Sequence, residues 1–261
     1  MNQVFLNVLS LVIDQVLQLG GLAFRCVELE WNQHEKRLRI YIAKKTLDSL
    51  GQVPEQGDEN GPGGVDVDDC AKVSRLLSEA YLLDELIKGT YHLEVSSPGV
   101  EPPLRRNVDF LSVCGAEVAI RLVPGVAGNK ARTFERVVCD VQKTGKSSVL
   151  TNEKELDAAL SKLRYGLEQA QKVVMTSLEG VKTADTETTS PHLDVEKGFE
   201  TVSMSHLYES VCSYVDDGLI SDYVDLFGGT IVVKGEPMEK VGNEVSLSQV
   251  HSAKLLYDWN A

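Results

Sequence analysis

Residues 63–106 read GGVDVDDCAKVSRLLSEAYLLDELIKGTYHLEVSSPGVEPPLRR, and the order of elements encoded in this stretch decides the fold. Asp68 or Asp69 can accept hydrogen bonds from the free N–H groups of the following turn, and both carboxylates suit the positive end of a helix dipole. A helix is therefore expected to begin near Cys70. Val73, Leu76, Leu77, Ala80 and Tyr81 then recur at helical spacing and leave Lys72, Arg75 and Glu79 on other faces, so one stripe of the helix meets a core. Next, Tyr91, Leu93 and Val95 alternate with His92, Glu94 and Ser96, the period-two pattern of a strand with one buried face. Pro98-Gly99 ends it, because proline presets the first central position of a turn and glycine accepts the positive φ of the second.

Upstream, Val4 to Leu19 is apolar, with rows at Val4, Val8, Val12, Val16 and Phe5, Leu9, Ile13, Leu17 that suit a buried helix stopped by Gly20-Gly21. The stretch lacks a basic leader, carries Asp14 and is too short to span a bilayer, so no export signal or membrane span is expected. Val27, Leu29 and Trp31 alternate imperfectly with Arg25, Glu28 and Glu30; Leu38, Ile40 and Ile42 alternate cleanly with Arg37, Arg39 and Tyr41. These are two hairpin strands joined through Asn32 to Lys36. Residues 44–64, with Pro54, Pro62 and several glycines and acids, read as a flexible excursion. The first half is thus α-β-β-α-β, with both helices on one face of a mixed sheet and a right-handed crossover from the second strand to the third.

Downstream of Leu104, Val108 to Val113 reads as a short apolar helix or turn, and Val118, Ile120 and Leu122 alternate with Ala119 and Arg121 as a strand. Phe134 to Val141, Ser147 to Leu150, and two strands within Glu244 to Tyr257 around a turn near Gln249 complete a set of short strands that suggests a small barrel. Between them, residues 151–240 read as an insertion. Leu156, Ala159, Leu160, Leu163, Leu167 and Ala170 form one helical stripe, and Met204, Leu207, Tyr208, Val211 and Val215 another, separated by a Thr-rich acidic linker at 183–190. The expected fold class is α+β: an α/β domain over 1–103, a barrel over 104–150 and 241–261, and an acidic insertion with two helices over 151–240. The insertion helices are expected to pack beside the barrel.

Catalysis needs convergent groups, and the sequence offers few. His34, His92, His192, His206 and His251 show neither H-E-x-x-H nor metal-ligand spacing with a cysteine, and no phosphate-binding glycine motif occurs. Val126 to Lys130 is only a basic hairpin turn. Cys70 sits where a helix dipole lowers a thiol pKa, but Asp68 and Asp69 oppose that shift, and a buried small residue is the commoner role. Ser96-Ser97-Pro98-Gly99 lacks the G-x-S-x-G pattern of a nucleophile turn. No catalytic residue, metal or cofactor is expected. Glu94 faces outward on its strand and is a candidate to fix a junction by pairing with Arg105 or Arg106.

Of 261 residues, 43% are hydrophobic, enough for a folded core, and the net charge is −13. Residues 151–240 hold 8 Lys+Arg and 17 Asp+Glu, a net of −9; the remaining 18 and 22 leave only −4. Such a field repels phosphate backbones and attracts basic partners. Arg105, Arg106, Arg121, Lys130, Arg132 and Arg136 make the second half locally basic, so contact with RNA is a second reading, although no aromatic platform interleaves with them. Five cysteines, Cys26, Cys70, Cys114, Cys139 and Cys212, are odd in number and form no C-x-x-C pair, which suits a reducing cytoplasm.

Taken together, Asp68-Asp69-Cys70 opening a helix, Leu93 to Gly99 as Leu-Glu-Val-Ser-Ser-Pro-Gly, and Pro103-Leu104-Arg105 resemble the pattern of the ribosome maturation factor family RimP. Pro102 stands where that family usually has arginine. The resemblance covers residues 4–150 and 241–259. It implies an SH3-like barrel for the second half and a non-enzymatic, monomeric, cytoplasmic factor. It also implies as partners the small (30S) ribosomal subunit and a basic small-subunit ribosomal protein near the decoding centre. Glu94, Ser96, Ser97, Pro98, Gly99, Arg105 and Arg106 are then the candidate partner-binding or interdomain-junction residues.

Overall fold

The structure, a computed structural model, describes residues 2–45, 64–123, 133–142, 153–181, 204–234 and 244–257. Most of the expected excursion at 44–64, the turn at 126–130, the strand at 147–150 and the linker at 183–190 lie outside these residues. In chain order the elements are α1 (Gln3–Leu19), β1 (Phe24–Asn32), β2 (Arg37–Lys44), α2 (Val67–Glu79), α3 (Leu82–Leu86), β3 (His92–Ser96), α4 (Asn107–Ser112), β4 (Glu117–Leu122) and β5 (Thr133–Gln142). They continue with α5 (Glu153–Val181), α6 (Met204–Asp217), α7 (Leu219–Phe227), β6 (Thr230–Lys234), β7 (Glu244–Ser246) and β8 (Val250–Leu255). The chain divides into two compact units, Met1–Ser97 with Glu155–Leu219, and Pro98–Lys154 with Ile220–Ala261.

In the first unit β1, β2 and β3 lie side by side in that order, with β1 antiparallel and β3 parallel to β2. Leu38 pairs with Leu93 and Ile40 with Val95, so the parallel register aligns the apolar sides of both strands. The imperfect alternation of β1 has a local cause. A bulge between Cys26 and Glu28 inserts one residue, so Phe24 and Cys26 are buried before it and Val27 and Leu29 after it.

Helix α2 begins three residues before the expected start. Its N-cap is Asp66, neither Asp68 nor Asp69: Asp66 Oδ1 accepts from the Asp69 N–H at 2.7 Å, and the Asp69 carboxylate reaches back to the Asp66 N–H at 3.3 Å. This reciprocal pair satisfies two end donors, which a cap at Asp68 would not. Tyr81 was expected on the buried stripe but adopts φ 49° at the α2–α3 corner and is 45% exposed, while Ala80 is buried.

The helices of the expected insertion belong to this same unit. Leu156, Ala159, Leu160, Leu163, Leu167 and Ala170 on α5 are buried, as are Leu207, Tyr208, Val211 and Val215 on α6. Helices α5 and α6 pack on the N-terminal elements. Gly166 lets α5 approach Leu86 of α3, the Lys162 ammonium sits 4.1 Å from the Phe5 ring, and Tyr208 donates a hydrogen bond to the Ala80 carbonyl. The reason lies in α1, whose Phe5, Leu6, Val8, Leu9, Leu11, Val12, Ile13, Val16 and Leu17 are all buried. That is too many for one stripe, so β1 covers one side of the helix while α2 and α6 pack on others. Each fully buried side chain of this kind contributes roughly 1.5–3 kcal/mol, which favours a second helical layer over an exposed α1.

The second unit holds a five-stranded antiparallel sheet in the order β7-β6-β5-β4-β8. Its core is Leu104, Phe110, Val118, Ile120, Leu122, Ile231, Val245, Leu247 and Ala253. Among the described residues no pairing joins β7 to β8, so a closed barrel is not found. Strand β6 lies within the stretch read as insertion and pairs with β5 from Val138↔Lys234 to Gln142↔Thr230. The long excursion therefore runs between two neighbouring strands. Helix α7, which sequence periodicity did not separate from α6, places Tyr223 and Phe227 with ring centroids 5.2 Å apart.

Candidate functional site

Because side chains alternate along a strand, burying Leu38, Ile40 and Ile42 sends Arg37, Arg39 and Tyr41 to the opposite face of the first unit's sheet. The register then builds three rows on that face: Glu28, Tyr41 and Ser96; Glu30, Arg39 and Glu94; Asn32, Arg37 and His92. Arg39 is the centre. Its Nη2 donates to Glu94 Oε2 at 3.1 Å, its Nε lies 3.0 Å from Glu94 Oε1, and its Nη1 donates to the Tyr41 hydroxyl at 3.2 Å. The Tyr41 hydroxyl in turn donates to Glu30 Oε2 at 3.2 Å. Arg37 lies 3.6 Å from Glu94 and 3.2 Å from Glu35. Both guanidiniums are thus engaged by carboxylates, and neither is left to meet a phosphate.

Glu94 accordingly pairs within its own sheet, with Arg37 and Arg39, rather than with the expected Arg105 or Arg106. The arginines downstream have local tasks. The main-chain N–H groups of Arg105 and Arg106 donate to Asp109 Oδ2 at 3.0 and 2.8 Å, and Arg105 Nη1 donates to the His251 carbonyl at 2.9 Å. Arg106 is 3% exposed, with its guanidinium 5.8 Å from the Phe227 ring centroid. It is a buried stacking residue of the second unit, not a surface contact.

Ser96, Ser97, Pro98 and Gly99 leave β3 as a turn. The Ser96 hydroxyl donates to the Ser97 carbonyl at 3.3 Å, and Gly99 has φ 75° with open space where a Cβ would stand. Glycine is required there by backbone conformation alone. The division between the two units falls at Ser97/Pro98, inside this turn and six residues before the expected boundary after residue 103.

Cys70 is partly buried, and that burial raises its thiol pKa, as do the charges of Asp69 and Asp66. The thiol stays protonated at neutral pH, the opposite of what a nucleophile needs. Among the described residues no group of three or more His, Cys, Asp or Glu side chains could hold a metal ion, and no helix is long and apolar enough to cross a membrane.

Charge divides unevenly between the units. The first holds 14 Lys+Arg and 27 Asp+Glu, a net of −13, and the second holds 12 of each, a net of zero. Within the first, residues 155–219 contribute 5 and 12, a net of −7. Sequence reading placed the acidity in an insertion but missed that the insertion adds it to the N-terminal elements. It also noted Arg37, Arg39 and Tyr41 only as the polar side of a strand, although that alternation is the signal that groups them. Residues 12–101, from within α1 through the Ser-Ser-Pro-Gly segment, match the family model of the RimP N-terminal domain.

Proposed function

We propose that this protein is a non-catalytic ribosome maturation factor that assists assembly of the small (30S) subunit by engaging a basic ribosomal protein near the decoding centre. The observation that carries this reading is the charge division: the whole net charge of −13 lies in the unit that contains the RimP N-terminal domain. A field of that sign speeds encounter with a Lys/Arg-rich protein by roughly 10- to 1000-fold at low salt and disfavours naked RNA. Individual exposed ion pairs contribute only about 0.2–1 kcal/mol each, so many dispersed contacts hold the partner until RNA replaces them. The factor acts as a monomer in the cytoplasm. Ser96 to Gly99 serve as the joint between units, and Glu94, Arg105 and Arg106 support the surfaces on either side of it.

The second unit is read as an SH3-like barrel. Supporting this, β4 lies between β5 and the last strand β8, and a single 3-10 turn at Leu247–Gln249 joins β7 to β8. The unit's lack of net charge supports a second reading, a general RNA-binding module using exposed Arg121 and Lys254. The two separate cleanly. Purified small-subunit proteins are passed over the immobilised full chain in rising salt; recovery of a basic ribosomal protein at low salt supports the first reading, and recovery of none removes it. Tight binding of naked RNA with a steep salt slope supports the second.

A further inference from the structure

We infer that residues 101–105 form a guard strand that closes the long edge of the second unit's sheet against pairing with a second copy of the chain. The two edges of that sheet differ. Strand β7 has three residues and offers little to pair with, whereas β8 has six. One side of β8 pairs with β4, and a bare second side would present alternate main-chain groups as a template for another strand.

Those groups belong to His251, Ala253 and Leu255, and one short segment engages all three residues. Arg105 Nη1 donates to the His251 carbonyl at 2.9 Å, the Leu104 N–H to the Ala253 carbonyl at 2.8 Å, and the Leu255 N–H to the Pro102 carbonyl at 3.1 Å. The Glu101 carboxylate pairs with the Lys254 ammonium, and Leu104, 2% exposed, anchors the segment in the core. The two main-chain bonds flank the antiparallel bridge Pro103↔Lys254, so the main chain of residue 103 turns away from β8. Proline has no N–H, and the outer side of the guard therefore lacks the donor that another strand would need there. Pro102, whose main chain faces β8, lacks the N–H that would carry the ladder one step further. Proline thus stands where pairing would spread outward and where it would spread along the edge. The Pro103-Leu104-Arg105 motif has this task in the fold: proline ends the sheet, leucine anchors the segment and arginine clamps it.

The test is sedimentation of the full chain over about a hundredfold range of concentration, where mass action reveals self-association. Pro103→Thr restores the outward donor with a strand-forming residue, and Pro98→Thr makes the same change in the turn outside the guard. One main-chain hydrogen bond is a factor of roughly 2 to 13 in association, so a symmetric pair of copies that gains two should tighten at least about fivefold over wild type. The amide introduced at position 103 should exchange its hydrogen more slowly as concentration rises, which aggregation through unfolding does not produce. Glu101→Gln/Arg105→Gln loosens both ends of the guard while leaving Leu104 in place, and it should associate too. Pro98→Thr should sediment as wild type. A wild-type chain that self-associates as tightly as Pro103→Thr overturns the assignment, as does monomeric behaviour of the folded guard variants. Association of Pro103→Thr without slower exchange at position 103, or equal association of Pro98→Thr, also overturns it.

Discussion

Tyr208 of α6 donates its phenolic hydrogen bond to the main-chain carbonyl of Ala80, the residue that closes α2. Carbonyls at a helix end have no partner within the helix, and this one lies where water is excluded, so a side chain from far along the chain supplies the missing donor. The bond ties the long excursion to the N-terminal fold at one point.

Tyr208→Phe keeps the ring and removes that donor, leaving a buried carbonyl unsatisfied. The expected cost is about 1–3 kcal/mol of unfolding free energy, measured by urea denaturation. Burial also raises the Tyr208 phenol pKa in the folded state. Its contribution is therefore fully present below the unfolded value near 10 and is lost as pH rises above it. Wild-type stability should fall above about pH 10, and the phenylalanine variant should show a smaller fall.

Leu163 is fully buried on α5, in the segment that sequence alone left as an addition to a barrel. Leu163→Ala should cost about 2–5 kcal/mol, like a core truncation. A detached insertion would instead lose almost nothing in the main unfolding transition. For the same reason, removing α5 and α6 should expose the apolar side of α1, read as increased binding of a hydrophobic dye, rather than leave the α/β half untouched.

What could be read in advance follows from range of interaction. Leu38, Ile40 and Ile42 on β2, or Leu156 through Ala170 on α5, declare their buried side by periodicity, and the structure buries them. The Ser-Ser-Pro-Gly turn was legible because Gly99 needs positive φ whatever surrounds it. The partner of α5 was not legible, since a stripe shows that something is covered but not by what. Glu94 failed likewise: its nearest arginines across the strand pairing, Arg37 and Arg39, are more than fifty residues away in sequence, and only the parallel register of β2 with β3 brings them beside it.

Asp66→Ala should destabilise α2 by about 1 kcal/mol through loss of its cap, whereas Asp68→Ala, at an exposed first-turn position, should cost only a few tenths. Thermal melts of the two single variants decide between them. The reverse order would show that the helix starts where the acidic pair, rather than the reciprocal cap, dictates.

Gly99→Ala isolates a backbone effect, because nothing stands near the position its Cβ would take. The cost expected from φ 75° alone is about 1–2 kcal/mol, read as a lower urea midpoint with an unchanged slope. A neutral outcome would mean that the turn relaxes freely at the division between the units.

Arg39→Met distinguishes the two functional readings by sign. Removing the guanidinium leaves Glu94 with Arg37 and leaves Glu30 with the Tyr41 hydroxyl, so the sheet face becomes more negative by one charge. Stability should change little, since the ion pairs are partly exposed and screened by solvent. If the first unit engages a basic protein through its net negative charge, affinity for small-subunit basic protein should be maintained or rise at low salt, and the gain should fade as salt screens the added charge. If Arg39 instead serves RNA, the same substitution should weaken RNA binding and reduce its salt slope by about one phosphate contact. Titrating wild type and variant with both probes over a salt series gives opposite signs for the two cases, and a loss of basic-protein binding on removing this arginine would contradict the electrostatic reading of the first unit.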